Sequence, residues 1–167
     1  MKEVMFAIKV ATLLAASFTT GFTANKALSP QDVRLRVEQS GAPAVVRAIW
    51  SSPEKTRQLL SGVSSGDPRW IDVAERLAPG VDAGASEDLD AALAQALLVQ
   101  PYVVLPWLKR HWWSDGLSVC EFAADSELPP GYLEKLKVAL SRKPPKQVAA
   151  LREECLRGLA SSRRPAG

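Results

Sequence analysis

The pentapeptide Gly62-Val63-Ser64-Ser65-Gly66 has the spacing of a nucleophile elbow, in which a strained turn lifts a serine above a sheet for acyl transfer. Several acids (Asp72, Asp82, Asp90) and then the only histidine, His111, follow it in the chain order of a triad. That chemistry needs a strand entering the turn and a helix leaving it. Here the residues ahead of Gly62 read as a helix, and the same five residues make an ordinary helix stop and linker. A small hydrolase working on envelope material through Ser64 and His111 therefore ranks last of three functional readings. One histidine cannot build a His-rich metal site, and Cys120, Cys155 and His111 lack the close ligand pairs of structural zinc. The adjacent acids Glu87-Asp88 and Glu153-Glu154 read as solvated helix positions, not as carboxyls held across a glycosidase cleft. The sequence thus calls for no catalytic residue, no metal and no cofactor.

The most unusual stretch is Pro106-Trp107-Leu108-Lys109-Arg110-His111-Trp112-Trp113-Ser114-Asp115-Gly116. Three indoles stand beside Lys109, Arg110 and His111 in what reads as a helix end and loop. Tryptophan is large, stiff and amphipathic, so exposed clusters of it form binding hot spots or sugar-stacking platforms. Trp107, Arg110, His111, Trp112 and Trp113 are accordingly the candidate contact residues. The competing expectation is that Trp107 and one neighbour enter the core while the basic residues cover its edge.

The elements that must carry this stretch are helical. Ser29-Pro30, Ser52-Pro53-Glu54 and Asp67-Pro68 each pair an N-cap oxygen with a proline that loses nothing at the first helical position. Pro43 predicts the start of another helix, with Val45, Val46, Ile49 and Trp50 facing inward. Gly62 predicts a stop after Leu59 and Leu60, and Pro79-Gly80 a stop after Trp70, Val73, Ala74 and Leu77. Ser86-Glu87-Asp88 predicts the start of the strongest helix, whose Leu89, Ala92, Leu93, Ala96 and Leu97 share one face. Pro101 begins a short apolar helix that Pro106 bends or restarts. Two more run from Gly131 to Ser141 and from Pro145 to Ala160. No segment alternates as a strand would. The fold class is all-α: a small irregular helical bundle, or stacked helical hairpins, of about seven to eight short helices. An echo between Pro43-Ala-Val-Val and Pro101-Tyr-Val-Val fits the hairpin form but is too poor to define a repeat.

The N-terminus bears on compartment. Lys2 and Lys9 precede the mostly apolar run Val10–Phe18, and mostly small residues, Phe22 apart, follow to Ala24, the three-part pattern of a secretory signal. Such a run is short of the ~20 residues that span a bilayer. Residues 1–24 are read as a signal peptide, 25–160 as one helical domain and 161–167 as a disordered C-terminal tail, placing the protein in a periplasm or outside the cell. In an oxidising compartment Cys120 and Cys155 would pair, closing a loop of ~36 residues that the chain-entropy model values at roughly 3–4 kcal/mol. At 47% apolar and 23% charged residues, the 167-residue chain has ordinary globular composition. Its net charge of +3 falls to +2 without Lys2, Glu3 and Lys9, too weak a field for nucleic acid. Together these features predict an exported, non-catalytic helical module that binds an unidentified protein or envelope polymer, as an adaptor or an inhibitor or immunity-type protein. A glycan-binding module using the Trp107–Trp113 loop is the alternative.

Overall fold

Most helices of the described residues begin where a local capping signal or a proline places them. The computed structural model describes residues 27–111 and 130–161, apart from the side chains of His111 and Ser161. The predicted signal peptide, the loop with Trp112, Trp113 and Cys120, and the tail from 162 onward lie outside the described residues. Eight α-helices are present among the described residues: α1 Pro30–Ser40, α2 Ala42–Trp50, α3 Pro53–Ser64, α4 Pro68–Leu77, α5 Ala83–Val99, α6 Pro101–His111, α7 Tyr132–Ser141 and α8 Ala149–Ser161. Short 3-10 turns, Ala78–Gly80 and Lys146–Val148, follow α4 and precede α8. No strand occurs among the described residues.

The caps act as the sequence implies at Ser29, whose hydroxyl accepts from the Asp32 amide at 3.1 Å, and at Asp67, which accepts from the Arg69 amide at 2.9 Å. Several helix boundaries differ from expectation, among them α8, which starts at Ala149 after a 3-10 turn and not at Pro145. Helix α3 passes through Gly62 and ends after Ser64; the stop is Gly66, whose φ of +71° suits glycine and whose amide donates to the Val63 carbonyl at 3.0 Å. Helix α5 begins at Ala83 because Asp82, ahead of the Ser86-Glu87-Asp88 run, accepts from the Ala85 amide at 3.0 Å. Helix α6 continues through Pro106, although proline withdraws one backbone donor from its interior.

The packing follows a sequential order. Helix α1 rests on α2 and α4, and α2 on α3 and α4. From there the pattern is regular, with α3 on α5, α4 on α6, α5 on α7 and α6 on α8. The described helices therefore stack as hairpins in two layers, one of α3, α5 and α7 and the other of α4, α6 and α8. Their shared interior is wholly apolar: no polar or charged residue is buried among the described residues, while Val33, Ile49, Leu59, Leu77, Leu97, Leu105 and Leu140 are completely covered. Burial of each such side chain stabilises the fold by about 1.5–3 kcal/mol. One polar tether crosses this interior, the Tyr132 hydroxyl donating to the Ala94 carbonyl at 2.8 Å and fixing α7 to α5.

The expected Cys120–Cys155 staple is not a bond between described residues. Cys155 is fully buried in the apolar cluster and is not a free thiol, but Cys120 lies outside the described residues. No disulfide joins two described residues, and what packs those residues together is the apolar interior with the Tyr132 tether.

Candidate functional site

Helix α6 carries the sequence-predicted contact residues, and its packing sorts them. Val104, Leu105, Trp107 and Leu108 recur at one helical face and are all buried, Trp107 at 1% exposure. Trp107 is thus a core residue that anchors the helix, not a surface contact. One turn further on, the helix emerges. The Lys109 ammonium lies 3.2 Å from a Glu154 carboxylate oxygen on α8, and the Arg110 guanidinium 3.2 Å from a Glu75 oxygen on α4. The two cations point to opposite neighbours in the same layer, so the end of α6 is clamped from both sides.

His111 is the last residue of α6, and Trp112 and Trp113 follow it directly. Both tryptophans, like the side chain of His111, lie outside the described residues. The structure therefore shows the base from which the aromatic pair departs: a helix end fixed by a buried indole and two ion pairs. Each ion pair is half exposed and worth little alone, ~0–1 kcal/mol. Their value is positional, since they restrain the direction of the helix end.

Ser64 has no elbow. It stands in the last turn of α3, and both glycines of the pentapeptide have packing roles. A Cβ on Gly62 would lie 2.5 Å from the Trp70 ring, and one on Gly66 2.7 Å from the Gln100 side chain. Helices α3 and α6 are not among the principal packed pairs, so Ser64 and His111 belong to different parts of the stack. Ser64 does line a shallow depression with Trp50, Thr56, Leu60 and Asp88. There the Trp50 indole donates to the Asp88 carboxylate at 2.9 Å, so the acid lining this depression is already engaged.

The marked shifts in acidity lie elsewhere. Hydrogen bonds from Arg69 hold the Asp67 carboxyl below the usual range at the α4 cap, and burial pushes the Tyr132 phenol well above its ordinary value. Among the described residues no cluster of three or more His, Cys, Asp or Glu side chains could hold a metal ion, and no helix is long and apolar enough to cross a membrane. Sequence reasoning missed Glu75 and Glu154 as partners of the candidate site. They lie 35 and 45 residues from the cations they hold, beyond the reach of any local pattern.

Compared with protein-family models, curated proteins and solved structures, the chain gives no match.

Proposed function

We propose that this chain is an exported, non-catalytic helical module that binds another protein through the end of α6, with Arg110, His111, Trp112 and Trp113 as the contact residues. The observation that carries the reading is the clamped helix end: Trp107 buried behind it, Lys109 held by Glu154 and Arg110 by Glu75. Binding costs free energy wherever side chains and loops must be ordered, and hot-spot aromatics contribute most from a rigid support. Two tryptophans leaving such a base meet that requirement. Export rests on the signal-like pattern of residues 1–24, Lys2 and Lys9 followed by a short apolar run.

A crosslinking pull-down from the envelope fraction tests the reading. Wild type recovers one dominant protein, and the Trp112→Ala and Trp113→Ala variants do not. Recovery of nothing reproducible, or equal recovery by the variants, removes the proposal. A response of tryptophan fluorescence to cell-wall fragments, without a protein partner, would move the same surface to glycan binding.

A further inference from the structure

Charge is divided unevenly along this stack. Over residues 27–111, nine Lys and Arg residues are set against ten Asp and Glu, a net charge of −1. Over residues 130–161, seven cations are set against three carboxylates, a net charge of +4. All three of those carboxylates are engaged: Glu134 with Lys137, Glu153 with Arg152 and Glu154 with Lys109. Lys135, Arg142, Lys143 and Lys146 are exposed and form no ion pair among the described residues.

Position makes a surface of them. Lys135, Val138 and Arg142 stand at i, i+3 and i+7, one outward stripe along α7 and its C-cap. Lys143 and Lys146 continue from it through the Pro144-Pro145 connection. Between the cations Val138 is 67% exposed, the most exposed large apolar side chain among the described residues. The backbone beneath is pinned rather than loose. The Tyr102 hydroxyl lies within hydrogen-bonding reach of the Leu140 and Arg142 carbonyls, and the Arg152 guanidinium donates to the Leu140 carbonyl at 2.6 Å. A cation near the C-terminal end of α7 complements the helix dipole, but that effect fades within one turn and does not extend to Lys135 or Lys146.

We propose that this face of α7 and the following connection docks on an anionic phospholipid bilayer. Long cationic side chains reach the phosphates while their stems, and an apolar residue such as Val138, enter the boundary with the acyl chains. An acidic protein surface would match the same charge, and binding to one without binding to the vesicles is an outcome of the test below. A nucleic acid would want donors at the centre of the stripe. The site is independent of the end of α6, so either proposal can fail alone.

The test is sedimentation of the full chain with vesicles of phosphatidylcholine alone and with about 30% phosphatidylglycerol added. Each cation at an anionic bilayer strengthens binding about fivefold, so Lys143→Gln/Lys146→Gln should lower partitioning about 25-fold. Arg47→Gln/Arg57→Gln makes the same change in net charge on other helices, and should lower it less than about twofold. Both variants keep residues 1–24, so any binding by that segment cancels in the comparison. Expected results are binding only to the anionic vesicles, loss of binding near 0.5 M salt as the screening length shrinks to a few ångströms, and the difference between the two variants. Equal binding to both vesicle types, equal effects of the two variants, or no sedimentation with anionic vesicles would each overturn the proposal. So would binding to an acidic protein with none to the vesicles.

Discussion

Replacing Gly62 by alanine is the sharpest probe of why the pentapeptide Gly62–Gly66 has its composition. In an exposed helix interior, Gly→Ala stabilises by about 1 kcal/mol through backbone entropy. At Gly62 the new methyl would lie 2.5 Å from two atoms of the Trp70 ring. Ordinary carbon contacts are ~3.5–4.0 Å, so the indole would have to retreat by roughly 1 Å or more. Trp70 is half-buried against the core, and forced repacking of this kind costs about 1–3 kcal/mol. Setting the helix gain against that cost leaves Gly62→Ala destabilising by roughly 0–2 kcal/mol. In a Trp70→Ala background the clash is gone, and the same substitution should stabilise by about 1 kcal/mol. The sign of the effect therefore depends on Trp70. A double-mutant cycle by urea denaturation should return a coupling energy of about 1–3 kcal/mol between the two positions. Equal stabilisation by Gly62→Ala in both backgrounds would refute the close approach, and with it the explanation of this glycine by packing.

Three further outcomes follow from the same structure. Trp107→Ala should destabilise by about 3–5 kcal/mol, as for an aromatic lost from a packed interior, and a shift of only a few tenths in chemical denaturation would place the indole outside the core. Tyr132→Phe should cost about 1 kcal/mol for the hydrogen bond to Ala94. The raised folded pKa of Tyr132 means stability that is complete below the ordinary phenol pKa of about 10 and lost as pH rises beyond it. The Phe variant should lose less stability in that alkaline range, and identical alkaline profiles would contradict the burial. Finally, the intact mass of protein recovered from the envelope should lack roughly the first 21–24 residues, whereas a full-length mass would end the export reading.

Local chemistry was readable where a signal acts within one turn. Ser29, Asp67 and the prolines at 30, 53, 68 and 101 mark helix starts because cap and first turn are neighbours in sequence. The inward face of α5 was equally plain from its periodicity. Boundaries failed where two signals compete or where a residue answers to a distant partner. Asp82 and Ser86 are both good caps, and the earlier one is used. Gly62 resembles a stop, yet its lack of a side chain serves Trp70 on the next helix. Pro106 suggested a break in α6 and so left Trp107 readable either as a surface contact or as a core residue; the continuous stripe of Val104, Leu105, Trp107 and Leu108 places it inside. The candidate site was visible as composition. Its clamping by Glu75 and Glu154 was not, because those contacts exist only once α4, α6 and α8 have stacked.

On the proposed function, two tryptophans act from a fixed helix end without being part of what holds the fold together. Its most direct test sets affinity against stability for the Trp112→Ala/Trp113→Ala double variant, using the partner captured by wild type. Hot-spot residues carry about 2 kcal/mol or more each, so the expected result is a loss of affinity of several hundred-fold or more, with a melting temperature equal to that of wild type. Unchanged affinity would contradict the claim. A melting temperature that falls with the affinity would contradict it too, by making the tryptophans part of the core.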